Sequence, residues 1–311
     1  MAIYEHLTGY AGLPVADFMP ETEPEEPPED PGGFAWRVFG SYAGEGISDV
    51  LDRFLDWVDG GAITALIIGY WNTPSYGRST EPGPVEALVA AADRLPALRS
   101  LFLGDIIAEE AEISWIEHSD ISPLLAAYPR LERLGVRGSQ GLRLQPFHSP
   151  HLRELRFESG GLPGRVVRAV GASDLPALEH LELWLGTHHY GGDAMVEDLA
   201  PILSGERLPS LRHLGLQDAE IQDEICAAVA SAPIVARLES LALSMGVLTD
   251  AGAEALLTGQ PLTHLRSLDL HYHYLSDGMI EQLRKALPGV EIDLSDRQEI
   301  DDEWMFVAVS E

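Results

Sequence analysis

Cysteine is nearly missing from this chain: Cys226 stands alone among 311 residues. A disulfide framework needs pairs and a thiolate zinc cluster needs several, so neither is available. Lysine and asparagine are as scarce, represented only by Lys285 and Asn72, while Arg and Ala abound. The codons of the two scarce residues are AT-rich, which points to a GC-rich bacterial genome and bears on origin rather than function. Positive charge is also short: 20 Lys and Arg face 50 Asp and Glu, a formal net charge of -30. Such a field repels phosphates and anionic lipid, arguing against nucleic acid and membrane surfaces and for a protein, peptide or cationic partner. Surplus acid that merely keeps the surface soluble accounts for the same number. No apolar run approaches the ~20 residues that span a bilayer. Met1 to Gly12 lacks the basic start and apolar stretch of a signal peptide, so a cytoplasmic location is expected. No GxSxG elbow, Walker A loop, Rossmann glycine fingerprint or HExxH occurs.

What the chain does have is a repeated phrase. Hydrophobic residues make up 45% of it, and many fall into the pattern aliphatic-x-x-aliphatic-x-aliphatic. Copies begin at Leu98, Leu131, Leu152, Leu178, Leu211, Leu238 and Leu265, with an earlier one at Ile63 and a shortened last one at Ile292 and Leu294. Successive anchors from Leu98 are 33, 21, 26, 33, 27 and 27 residues apart. These spacings centre on the length of leucine-rich repeats, two units carrying insertions. One short strand cannot bury its own inward side chains, but stacked neighbours build a continuous core, at roughly 1.5–3 kcal/mol per fully buried Leu. The expected fold is α/β: a leucine-rich-repeat solenoid or horseshoe, parallel strands on the concave face and helices on the convex one.

Amphipathic stretches between the phrases predict helices over Val85–Arg94, Glu224–Ala232, Ala251–Leu257 and Met279–Leu287. Thr249-Asp250 and Ser276-Asp277 supply a hydroxyl cap and first-turn acid for two of them. Pro96, Pro233, Pro261 and Pro288 follow the helices and stop them. Cys226, among Ile225, Ala227 and Val229 on such a helix, is expected to be buried and inert.

The units SLALSMGVLTDAGAEALL, Ser240 to Leu257, and SLDLHYHYLSDGMIEQL, Ser267 to Leu283, resemble ribonuclease-inhibitor-type leucine-rich repeats. The passages LPALEHLELWLGT, AEIQDEI, GQPLTHLRSLDLHYHYLS and the tail from DLSDRQ to VAVSE further resemble a bacterial leucine-rich-repeat family common in actinobacteria. Its genes often lie beside those of radical-SAM enzymes and a hydrolase. That resemblance covers most of the chain and implies an accessory role beside a radical-SAM enzyme or its peptide substrate. It supplies no catalytic residues. The asparagine usual after each strand is replaced by Ile106, Ser139, Gly160, Gly186, Ala219, Gly246 and His273, so no buried amide ladder is expected.

Outside the repeats, residues 1–18 contain enough apolar side chains for an N-terminal cap, and residues 19–33 form an acidic, Pro-rich linker or loop. The repeats occupy 34–298. Residues 299–311 are an acidic tail followed by an apolar segment, Trp304 to Val309, that either folds back as a cap or serves as a recognition tail. The acidic stretch Asp105 to Asp120 is read as an insertion whose carboxylates face water.

Side chains flanking the strand leucines should face the concave surface. There Arg133, Arg137 and Arg156 form a cationic island rimmed by Glu154, Glu158 and Glu182, able to grip carboxylates or to pair across strands. His180, Trp184, His213 and His271 lie on the same face. Loops after the strands add Tyr70-Trp71, then His188, His189 and Tyr190, then Tyr272, as anchors on an aromatic rim. These residues make up the expected partner-binding surface, for a protein or peptide. Neither His188-His189 nor His271-x-His273 has a zinc spacing, so no metal, cofactor or catalytic residue is assigned. The competing class is a metal-assisted hydrolase with a His and acid site on the loop rim.

Overall fold

The computed structural model describes residues 3–19, 26–40, 46–71, 83–302 and 304–310. Part of the expected linker (20–25), the first two residues of the cap, and 303 and 311 of the tail lie outside the described residues. The repeat phrases become rungs of one sheet in sequence order. Its strands are β1 (Gly9–Tyr10), β2 (Leu13–Phe18), β3 (Ala35–Val38), β4 (Ala65–Ile68), β5 (Ser100–Leu103), β6 (Arg133–Arg137), β7 (Glu154–Glu158), β8 (His180–Gly186), β9 (His213–Ala219), β10 (Ser240–Ala242), β11 (Ser267–Asp269) and β12 (Glu291–Asp293). β1 pairs antiparallel with β2; every later pairing is parallel. The sheet is open and the architecture is the expected solenoid.

Among the described residues, eight helices lie between the rungs: α1 (Ile47–Trp57), α2 (Pro84–Ala90), α3 (Ser122–Ala127), α4 (Gly164–Ala172), α5 (Val196–Ser204), α6 (Gln222–Val229), α7 (Asp250–Thr258) and α8 (Asp277–Ala286). α2, α6, α7 and α8 fall where apolar periodicity predicts them. The other four carry no such expectation: Pro or Gly inside α3, α4 and α5 dilutes the helical signal, whereas α1 is plainly amphipathic and lies ahead of the first leucine phrase. The shortest unit, 21 residues between Leu131 and Leu152, has no helix. Its loop runs extended instead, bridging Gln140 to Glu117, Arg143 to Asp120 and His148 to Asp174 in the neighbouring turns.

The anchors Leu101, Leu134, Leu155, Leu181, Leu214, Leu241 and Leu268 form one buried column. Adjacent helices are tied through first-turn acids. Asp223 accepts from Thr249 N–H and Oγ1–H at 2.8 and 2.5 Å. Asp250 does the same for Ser276 at 2.8 and 2.7 Å. Each carboxylate thus meets the positive end of its own helix and caps the next one. Cys226, within α6, is fully buried, and burial pushes its thiol pKa up.

The sheet begins earlier than the leucine phrase. β2 and β3 pair from Val15–Ala35 to Phe18–Val38, although LPVADF and AWRV carry no leucine triad. Aromatic packing takes its place: Phe18, Trp36, Phe54 and Trp57 meet with ring centres 5.1–6.5 Å apart.

Candidate functional site

Strand register sorts the concave side chains into rows. One row runs Ser100, Arg133, Glu154, His180, His213, Ser240, Ser267, and the next runs Phe102, Gly135, Arg156, Glu182, Gly215, Ala242, Asp269. Side chains in a row stand about 4.8 Å from their neighbours, so each can meet the residue one repeat away as well as the residue two positions along its own strand.

The charges on this face pair with one another. Asp17 meets Arg37 at 2.8 Å, and Arg37 meets Asp105 at 2.6 Å. Asp105 meets Arg137 at 3.2 Å, and Arg137 meets Glu158 at 2.6 Å. Glu158 meets Arg156 at 2.7 Å, Arg156 meets Glu182 at 3.5 Å, and Glu182 meets His180 at 3.2 Å. Signs alternate along the ladder from Asp17 to Glu182. The expected cationic island is therefore neutralised: Arg137 and Glu158 are 4% and 2% exposed, too buried to touch a partner. Asp105 also departs from expectation. It is fully buried at the centre of the ladder, while Glu109 and Glu112 of the same stretch do face solvent.

The N-terminal residues lie across the first half of the concave face. Leu7 N–H donates to Asp105, and Arg37 donates to the Leu7 carbonyl at 3.1 Å. Tyr10 packs edge-on against Phe102, ring centres 5.9 Å apart, and its hydroxyl donates to the Leu101 carbonyl at 2.9 Å. Phe102 in turn lies over Gly135, where a Cβ would come within 2.3 Å of its ring. Between this hairpin and the floor is a cleft of about 430 Å³, lined in part by Tyr10, Pro14, Phe102, Glu154 and Arg156.

The C-terminal segment crosses the rim. Ala308 N–H donates to the Met245 carbonyl and Val309 N–H to Asp218 Oδ1, both at 2.8 Å. Ser114 Oγ–H donates to the Ser310 carbonyl at 2.8 Å, and the Tyr272 hydroxyl to Val307 at 3.2 Å. Val307, Ala308 and Val309 are buried, whereas Trp304 and Phe306 project outward. Burial drives the Asp218 carboxyl well above the ordinary carboxylate range, a shift that hydrogen bonds from Val309 and Ala308 only partly offset. Its Oδ2 has no hydrogen-bond partner.

The expected rim anchors are divided by this arrangement. Tyr70, Trp71 and Trp184 are buried, Trp184 being 7% exposed with its Nε1–H donating to Glu182 Oε1 at 3.1 Å and Arg156 over its ring. His188 and His189 are exposed on a short turn, with His189 edge-on to Tyr190. Tyr272 is half-buried beneath the C-terminal segment. His188 and His189 join no group of three possible metal ligands among the described residues.

On the floor between β8 and β12, His180, His213, Ser240, Ser267, Asp269 and His271 are half-exposed, while Glu182, Gln217 and Ser244 are buried. His180 and His213 stack face to face, ring centres 4.0 Å apart and 9° from parallel. Burial and the neighbouring His180 hold His213 down to about 4. Burial alone would raise Glu182, but the His180 hydrogen bond, the Arg156 guanidinium and Trp184 outweigh it and bring it to about 2. Beyond them, Gln217 donates to Ser244, which donates to Asp269; Asp269 also meets His271 Nδ1 at 2.8 Å. Hydrogen bonding to Asp269 raises His271.

Sequence reading missed what stands in for the asparagine ladder. Ser139 Oγ–H donates to the Gly161 carbonyl and Ser159 Oγ–H to Trp184. His273, fully buried, bonds the Leu294 carbonyl through Nε2 at 3.2 Å and accepts Leu275 N–H at Nδ1. Small hydroxyls and an imidazole thus satisfy loop backbone that an amide satisfies elsewhere, and their scatter along the chain hid the role.

Fold and concave floor together define a leucine-rich-repeat protein. Residues 238–257 match the family described as Leucine Rich repeat. The chain is 36% identical to a Bacteroides fragilis protein of known crystal structure, which it matches with a TM-score of 0.77 over 86% of this chain and 75% of that one. It belongs to the leucine-rich-repeat family. No curated protein matches it.

Proposed function

We propose that the protein is a non-catalytic scaffold that binds a protein or peptide on the concave floor between β8 and β12. Leucine-rich-repeat domains are in general binding modules that use an extended concave surface. The observation that carries the reading is the half-exposed polar row His180, His213, Ser240, Ser267 with Asp269 and His271 beside it, on a face otherwise occupied by the chain's own termini. Four inter-strand steps at ~4.8 Å make this floor roughly 19 Å wide, the reach of an extended segment of about six residues. The arginines beside it are already paired and the chain is strongly acidic, which favours a basic segment over a carboxylate-rich one. A cytoplasmic radical-SAM enzyme or its peptide substrate, implied by the sequence resemblance, is the partner to test first.

The test is capture of that partner by tagged protein carrying Ser267→Trp, which blocks the floor without touching the charge ladder. Glu254→Arg on the exposed side of α7 is the control. The expected result is stoichiometric capture by wild type and control and loss in Ser267→Trp. Equal capture by all three would remove the floor as the binding face.

A further inference from the structure

We propose that His180, Glu182 and His213 form a binding site for a divalent first-row transition-metal ion, with zinc as the reference ion. Register assembles the three. His180 on β8 pairs with His213 on β9, and Glu182 stands two residues beyond His180 on the same face. Opposite Glu182 is Gly215, where a Cβ would come within 2.9 Å of Glu182 Cγ. Glu182 therefore leans over β9 into room that any other residue would fill, and its carboxylate comes beside both imidazoles.

One ligand atom from each of the three lies within 4.8 Å of the other two, and His180 Nε2 is 3.2 Å from Glu182 Oε2. Zinc holds nitrogen and oxygen donors at about 2.0–2.2 Å, which sets tetrahedral donors roughly 3.4 Å apart. The donors must close by about an ångström, and the two rings, now stacked 9° from parallel, must turn out of the stack so that both lone pairs converge on one point, movements open to half-exposed imidazoles. Two imidazoles and one carboxylate suit zinc and its first-row neighbours, whereas calcium and magnesium take oxygen donors.

Outer hydrogen bonds of the kind that orient metal ligands are in place. Ser240 Oγ lies 2.7 Å from His213 Nδ1, so a hydroxyl accepting there leaves the lone pair on Nε2. Trp184 donates to Glu182 Oε1 and leaves Oε2 for the ion. Arg156 also approaches Oε1, at 3.5 Å, and its charge opposes a cation, but Glu158 neutralises it at 2.7 Å. With three protein ligands, at least one coordination position stays open to water or to a donor from a bound partner. A second group, Asp269, His271 and Asp293, lies two or more strands away, so the two cannot share an ion.

The experiment takes the full chain, stripped with EDTA and dialysed, through titration with zinc sulfate by calorimetry and cobalt(II) chloride by visible absorption. One saturable equivalent is expected, with cobalt bands of a low-coordinate nitrogen and oxygen site. Gly215→Ala, which displaces Glu182, should weaken zinc binding on the order of 10–100-fold, the range for loss of an orienting contact, and His213→Ala, which removes a ligand, by at least about 100-fold. His151→Ala, at an exposed histidine outside the floor, should leave it unchanged. Circular dichroism melts without metal report whether each variant folds, and His180→Gln carries the test if His213→Ala does not. Absence of saturable zinc binding by wild type, or affinity unchanged in the folded histidine variants at 180 and 213, would overturn the proposal.

Discussion

The Asp218 carboxylate accepts the backbone N–H of Val309 at 2.8 Å, joining the end of β9 to a segment 91 residues further on. The acceptor sits in a left-handed conformation, φ 56°, with its second oxygen unpartnered and Tyr272 nearby. A carboxyl raised above its ordinary pKa favours the folded state most when protonated. Its contribution is complete at acid pH, below the unfolded value, and is lost as pH rises through the raised folded value. Asp218→Asn keeps the acceptor, tolerates the conformation and carries no charge. We expect it to stabilise the protein at about pH 8 by roughly 1–3 kcal/mol and to flatten the pH dependence. Urea unfolding of both proteins from acid to alkaline pH checks this, and equal stability at pH 8 would refute it.

Arg137 holds two buried carboxylates, Asp105 and Glu158. Among arginine partners, Arg137→Met leaves Asp105 to Arg37 alone and Glu158 to Arg156 alone, so it should cost a part of the about 3–5 kcal/mol that a fully unpaired buried charge costs, read by denaturant unfolding. Adding Glu158→Gln should restore part of that loss, because one stranded charge is removed. A double variant as unstable as the sum of its parts would mean that the ladder is not coupled.

His273 satisfies one carbonyl and one N–H inside the last loops. His273→Ala should cost about 1–3 kcal/mol for each group left unpaired, and His273→Asn, the residue usual at this position, should recover much of it. Burial holds the His273 pKa below its ordinary value. The neutral ring is the folded form, so its stabilisation is present above the unfolded pKa and is lost as pH falls below it. The advantage of wild type over His273→Ala should therefore shrink in mild acid, measured by the same unfolding curves.

Tyr10 fastens the N-terminal hairpin to the floor through Phe102 and the Leu101 carbonyl. Tyr10→Ala should leave the repeats folded while exposing the hairpin. Limited proteolysis followed by mass spectrometry should then find cleavage near residues 5–13 at least about tenfold faster, a loss of roughly 1.4 kcal/mol in local closure. An unchanged cleavage rate would show that the hairpin is held elsewhere.

Much of the architecture was legible because the core is periodic. Leu131, Leu134 and Val136 announce a rung wherever they recur, and the same spacing predicted which side chains stand outward, from Arg133 to His271. The N-terminal rungs were harder to see because Phe18 and Trp36 fill the core where leucine does so later. The candidate site was legible only in part. His180, Glu182 and His213 were on the expected face, but 33 residues separate the two histidines, and no motif spans such an interval. His188 and His189 drew attention as neighbours in sequence, yet the fold puts them on an exposed turn.

Leucine periodicity already specifies the solenoid, its parallel strands and the identity of the concave rows, since a leucine that cannot be buried within one repeat forces the repeats to stack. Tertiary structure alone decided which concave charges cancel, which aromatics are covered and which histidines meet. Those outcomes depend on register between neighbouring strands and on where the two terminal segments come to rest. Both are set by contacts between residues dozens of positions apart, which periodicity along a single chain does not encode.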